Sequence, residues 1–164
     1  PRTPGSAKLD LLMTLLPEMV EEGRRILVFS QFTRMLELIA QALENSGLAF
    51  VTLTGDTHNA WAFDLSEGGR PAGIEIAGQS VTSPGYEAYT RGITDTQRVS
   101  ALRGSSSQLK WANTQDRGYV TVQMTRDRVT ANWHNVETIR TRSPALKGTH
   151  SMTATRGRRT FDAA

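Results

Sequence analysis

Between Gly55 and Leu65 the chain changes its hydrophobic period, so no single layered pattern can run its whole length. Upstream, apolar residues recur at helical spacing or in a short continuous run. Downstream they alternate residue by residue, as half-buried strands require. The charge balance turns over at the same place. Up to Thr57 five Lys or Arg stand against seven Asp or Glu; from His58 onward fourteen stand against nine, and every Trp and Tyr lies there.

At 164 residues the chain is long enough to bury a core. A net charge of +3 fits a slightly basic solvated surface, so charge gives DNA only weak support as a partner. With no cysteine, disulfides, thiolate metal ligands and Cys nucleophiles are excluded. The Pro1-Arg2-Thr3-Pro4-Gly5 start is polar, and no apolar run nears the roughly 18 residues of a membrane span. As written, a cytoplasmic chain without a membrane partner is expected.

Ser6 can cap a helix whose apolar residues Leu9, Leu12, Met13, Leu16, Met19 and Val20 share a face, interrupted or kinked at Pro17 and ended near Gly23. Arg25 to Ser30 holds Ile26-Leu27-Val28-Phe29, a continuous apolar run suited to a strand covered on both faces. A helix from about Phe32 to Asn45 presents Met35, Leu36, Ile39, Ala40 and Leu43, and Ala49 to Leu53 reads as another strand. Together these make a right-handed parallel strand-helix-strand unit. Its wording, Ser6-Ala7-Lys8-Leu9, Arg25-Ile26-Leu27-Val28-Phe29-Ser30-Gln31-Phe32-Thr33 and Leu53-Thr54-Gly55-Asp56-Thr57, resembles the start of the second RecA-like lobe of Swi/Snf-type helicase-like ATPases. The later Gly-rich and arginine motifs implied by that resemblance do not follow Thr57. No G-x-x-x-x-G-K-[ST] loop occurs either, so ATP is not expected to bind.

Farther on, Ile74 and Ile76 alternate along Gly73 to Ala77, and Ser80 to Gly85 is turn material. Residues 86–117 have weak periodicity, with an exposed loop expected at Gly104-Ser105-Ser106-Ser107. Val120, Val122 and Met124, then Val129, Ala131 and Trp133, predict a β-hairpin with one buried face. Beyond Pro144 a short strand or frayed end is expected. Trp61, Phe63 and Trp133 read as core, His134 as surface, and His150 as a tail residue without a functional role.

Three separated strings, Gly55-Asp56-Thr57-His58-Asn59-Ala60-Trp61-Ala62-Phe63-Asp64-Leu65, Gly78-Gln79-Ser80-Val81-Thr82-Ser83-Pro84-Gly85 and Arg117-Gly118-Tyr119-Val120 through Trp133 to Thr138-Ile139-Arg140-Thr141, are similar to the C-terminal third of alkaline phosphatase D (PhoD-like) enzymes. The resemblance implies a dinuclear metallophosphoesterase acting on phosphate mono- or diesters, with divalent or trivalent metal ions as cofactors. His58 is then the metal ligand, Asp56 shapes the loop or orients the imidazole, and Asn59 reaches phosphate or an outer-layer water. Full-length relatives of this kind are typically exported. A two-metal site needs several ligands, including a bridging carboxylate; three histidines without a Gly-Asp-x-x-Asp or Gly-Asn-His-Asp/Glu segment predict little turnover from the isolated chain.

The expected fold is therefore α/β: a parallel strand-helix-strand unit over residues 1–57, then the β-rich portion of a metallophosphatase-like sandwich over 53–164. Leu53-Thr54-Gly55-Asp56-Thr57 suits both families, as a crossover, a splice or a natural fusion would leave it, and a catalytically silent chimeric α/β module is the third functional reading beside phosphatase and helicase-type ATPase. An exposed β edge would favour self-association.

Overall fold

The computed structural model describes residues 6–30 and 33–163. The chain divides into two compact units, Pro1–Phe50 and Val51–Ala164, parted ahead of the compositional break.

In the first unit, helix α1 (Ala7–Glu21) starts after an extended Ser6 and continues through Pro17. The Ser6 hydroxyl makes no cap bond; its carbonyl instead accepts from Asp10 N at 2.9 Å. Gly23, at φ 79°, closes the helix by donating to Val20 O, the left-handed ending that glycine adopts without a Cβ penalty. Helix α2 (Thr33–Ser46) ends the same way at Gly47; its expected start at Phe32 lies outside the described residues. The two helices touch, and Leu16 and Ile39 are buried.

The strand expected over Arg25 to Ser30 does not form: residues 24–30 have no regular secondary structure, and Leu27 and Phe29 are 69% and 88% exposed. A continuous apolar run becomes a strand only where neighbours supply a hydrogen-bond ladder and cover both faces. Among the described residues this unit contains no other strand to do so.

The second unit opens with strand β1 (Val51–Thr54), which starts two residues after the expected Ala49. Strands β2 (Ala60–Glu67) and β3 (Arg70–Ala77) form a hairpin, and β4 (Leu109–Asn113) lies on the far side of β2. The sheet order is β1-β3-β2-β4. The mixed α/β class stands, with the parallel pairing relocated: β1 runs parallel to β3, Val51 opposite Ile74 and Thr54 opposite Ala77. Strands β5 (Gly118–Met124), β6 (Arg128–Val136) and β7 (Leu146–Thr155) make an antiparallel second sheet. The predicted hairpin is β5–β6, with Val120 opposite Trp133 and Val122 opposite Ala131.

Residues from both sheets share one core: Ala60, Ala62, Ile74 and Ile76 meet Ala131, Trp133 and Ala154, with Phe161 from the C-terminal segment. Trp133 is fully buried, and its indole N–H donates to Ala77 O of the other sheet at 2.8 Å, which satisfies the polar end of the ring. Alternation along β2 sends Trp61 and Phe63 to the opposite face. There, beyond the one-turn helix α3 (Tyr86–Tyr89), Val99 and Leu102 of helix α4 (Asp95–Ser105) cover Trp61, Leu109 and Ala112. The order of layers is thus sheet, sheet, helix.

Three further expectations are corrected. Gly104 and Ser105 lie in the last turn of α4 rather than in a loop. Beyond Pro144 the strand alternative holds and the frayed end does not, but the strand, β7, is ten residues long rather than short. His150 on that strand is no tail residue: it stacks on Trp111 of the other sheet, centroids 4.1 Å apart and planes 11° from parallel. Its Nε2 is buried without a partner, and desolvation lowers its pKa from the ordinary value of 6.5.

Candidate functional site

The loop between β1 and β2 leaves the carboxyl end of a parallel strand and must reverse within five residues to enter β2 at Ala60. Thr57 N folds back on Gly55 O at 2.8 Å, while Asp56 and His58 adopt φ values of 69° and 58°. Left-handed backbone is uncommon outside glycine and costs about 1–2 kcal/mol per residue, so something must hold this loop.

The clamp is the segment from Ser83 to Glu87 together with Arg117. Asn59 is fully buried; its amide donates to Thr57 O at 2.5 Å and its carbonyl accepts from Tyr86 N at 3.2 Å. Trp61 Nε1 donates to Thr57 Oγ1 at 3.1 Å, and its ring meets Tyr86 edge-on at 5.6 Å. Arg117, only 6% exposed, uses one guanidinium nitrogen for His58 O (2.6 Å) and Ser83 O (3.2 Å). The other donates to Glu87 Oε2 (2.6 Å) and Gln115 O (3.2 Å). A planar fork with five N–H groups can serve four acceptors this way; a lysine ammonium cannot. Glu87 also accepts from Gly85 N at 3.1 Å, so the carboxylate and the guanidinium close one network.

Glycine at 85 is required by space. A Cβ there would lie 2.5 Å from Asn59 Oδ1 and 2.9 Å from Arg117 Nη1. Gly118 is equally confined, because a Cβ would strike the His134 carbonyl. Behind it, Gln79 donates to His134 O and to Asn135 Oδ1, tying the loop after β3 to the second sheet.

Within this frame His58 Nδ1 lies 2.9 Å from Pro84 O. A carbonyl oxygen can only accept, so Nδ1 carries the proton and, in the neutral ring, Nε2 keeps its lone pair. Asp56, expected to shape the loop or orient this imidazole, is exposed and makes no hydrogen bond or ion pair among the described residues. Pro84 fills the orienting role. Asn59, expected at phosphate or in an outer layer, has both amide groups engaged by backbone and stands behind His58 in the loop. Among the described residues no group of three or more His, Cys, Asp or Glu could hold a metal ion. His134 does not join His58; its ring nitrogens face Thr121 Oγ1 and Thr149 Oγ1 at 3.0 and 3.1 Å.

A second buried arginine supports the same region. Arg98 Nε donates to Thr114 Oγ1 at 2.7 Å and its Nη1 reaches Ile93 O, while Thr114 donates to Asp95 Oδ1 at 2.6 Å. This fastens the start of α4 to the loop before Arg117. The helix also carries a capping box, Thr94 with Gln97. Arg117, Glu87 and Gly85 were not singled out by sequence reasoning. The available signal was that Pro84-Gly85 and Arg117-Gly118 are parts of the strings that carry the phosphatase resemblance.

Comparison with known proteins gives two kinds of similarity. A family model for PhoD-like phosphatase matches residues 28–133. A solved structure, "Structure of PhoD", superposes with a TM-score of 0.55 at 16% identity, covering 77% of this chain and 24% of that one, which shows a shared fold. Over 52 residues the chain is 50% identical to ATP-dependent helicase fft2 of Schizosaccharomyces pombe and 42% identical to Protein CHROMATIN REMODELING 24 of Arabidopsis thaliana. Each helicase-type match takes in 32% of this chain but only 4% and 5% of those proteins.

Proposed function

We propose that this chain, which belongs to the PhoD-like phosphatase family, contributes one metal-binding loop to a phosphate-ester hydrolase, with His58 Nε2 as the ligand. The observation carrying the reading is the bond between His58 Nδ1 and Pro84 O. Ligating histidines characteristically donate their other ring N–H to a carbonyl or carboxylate, which fixes the tautomer and turns the lone pair toward the metal. Arg117 and Asn59 act as positioning residues, since they hold the His58 backbone and the facing Pro84 segment. Asp56 shapes the loop through its left-handed backbone.

The residues of this chain do not by themselves fit a two-metal centre. One imidazole cannot hold two ions, and no cluster of further ligands accompanies it among the described residues. No catalytic step is derived, and little or no phosphate-ester turnover is expected from the chain alone. In a complete site the metal ions would activate water and neutralise charge on the transferred phosphoryl group.

The test is metal content by elemental analysis after gel filtration, paired with turnover of a chromogenic phosphate ester, on the wild type and His58→Ala. Metal that co-elutes and is lost in the variant supports the ligand assignment. Uptake that is absent, or unchanged in the variant, overturns it. Turnover that vanishes with the metal would mean that self-association completes the site.

A second reading, a portion of a helicase-type ATPase lobe that contacts DNA, is favoured by the 50% identity over 52 residues. Its basic side chains are partly spent on neighbours, because Arg24 pairs with Glu22 at 2.7 Å and Arg34 with Glu37 at 3.2 Å. The phosphatase reading therefore stands first.

A further inference from the structure

The second sheet has two unlike ends. Gly118, Asn135 and Gly148 lie at the end that meets the His58 loop; Met124, Val129 and Ala154 lie at the other, about 20 Å away along the strands. At this distant end the β5–β6 turn and the segment after β7 bring together Arg126, Arg128, Arg156, Arg158 and Arg159. The carboxylates beside them are Asp127, Asp162 and Asp64, the last accepting from Phe161 N at 2.8 Å and paired with Lys110 at 3.3 Å.

Backbone bonds fix the two turns to each other. Arg128 stands opposite Thr155, and Arg156 N donates to Asp127 O at 2.7 Å. Thr125 Oγ1 accepts from Asp127 N and Arg128 N, which stiffens the hairpin turn. Asp162 is occupied by Thr155 at 2.8 Å and by Arg158 at 3.6 Å. Arg126, Arg128 and Arg156 are exposed, and among the described residues no carboxylate pairs with them. Three exposed arginines thus stand on two turns that backbone hydrogen bonds join.

We propose that this arginine end binds the phosphate backbone of duplex nucleic acid. Arginine forks match phosphate oxygens bidentately, and the prearranged turns reduce the ordering cost of binding. The surroundings separate this partner from others. No large apolar side chain is exposed in residues 124–129 or 155–163, so there is neither a wedge for a lipid surface nor a platform for unstacked bases. Binding is then sequence-independent and salt-dependent.

The experiment is fluorescence anisotropy of a labelled duplex of about 20 base pairs with the full chain, across about 50 to 200 mM salt. Three phosphate contacts predict a log–log slope of about −2.7, or about 40-fold weaker binding over that range. The variant Arg126→Gln/Arg128→Gln/Arg156→Gln should lose that slope, and Arg140→Gln/Arg142→Gln, in the loop at the other end of the sheet, should keep it. Thermal melting of each variant checks folding; if the triple variant is unfolded, each single substitution should lower the slope by about 0.9. Absence of binding at the lowest salt, or a slope unchanged in the folded variants, would overturn the proposal. Equal arginine-dependent binding to phosphatidylserine vesicles would overturn the assignment to nucleic acid.

Discussion

The two units of this chain differ in what their apolar residues accomplish. In the first, Val20 from the apolar face of α1 and Leu27, Val28 and Phe29 from the continuous run are all exposed. In the second, weaker patterns produce a core shared by two sheets, with Trp133, Ala131 and Ala62 shut away from solvent. The difference teaches that period specifies an element's shape while its neighbours decide whether the shape is used. Trp133 has a facing sheet and a carbonyl for its indole; Phe29 has neither.

The largest break in this comparison should come from Trp133→Ala. Deleting a fully buried indole from the seam between the sheets is expected to cost about 3–5 kcal/mol, read as a fall in the urea midpoint of the second unit. An effect under about 1 kcal/mol would mean that the seam repacks freely.

Arg117→Met should come next. Removing one side of a mostly buried charge pair typically costs about 3–5 kcal/mol, and Glu87, at 29% side-chain exposure, places the expectation at the lower end. Tryptophan fluorescence should report loosening near Trp61 at lower urea than in the wild type. Retention of wild-type stability would show that the clamp is dispensable.

A smaller effect concerns His150. Burial lowers its pKa below 6.5, so between the folded value and 6.5 the unfolded chain binds more protons than the folded one. Stability therefore rises with pH through that window and is reduced in acid. His150→Phe keeps a ring against Trp111 and should flatten this slope in urea midpoints taken from about pH 5 to about pH 7.5. An unaltered slope would assign the acid sensitivity to other groups.

The smallest effect should be Phe29→Ser, within about 0.5 kcal/mol, because an 88% exposed ring has little packing to lose. A loss above about 1 kcal/mol would sharpen the comparison in the opposite sense, by showing that the ring is covered in solution.

What could be read in the sequence follows the same logic. The β5–β6 hairpin was legible because one face is buried against the first sheet and the other is not, which writes an alternation of Val120, Val122, Ala131 and Trp133. Strand β7 was legible only as a short strand or a frayed end, since its contributions to the seam are His150, Met152 and Ala154 amid small polar residues. Helix α4 has little apolar face because Arg98, a buried charged residue, anchors it as much as Val99 and Leu102 do. At the candidate site the wording singled out His58 and Asn59 as candidates, but not the partners that hold them, nor that the Asn59 amide would be engaged by backbone. Pro84 acts through its carbonyl and Gly85 through its missing Cβ, and neither property has a signature in a string of letters.

Arg117 has one more consequence. Val136 N donates to Arg117 O, so this arginine sits on the hydrogen-bond ladder that zips β5 to β6. A slip of one residue in that ladder would turn its guanidinium to the opposite face of the sheet, away from His58 O and Ser83 O. The left-handed loop would then lose its clamp. The hairpin thus proofreads the loop: only a chain that has closed in the correct register can finish the part of the surface that presents His58.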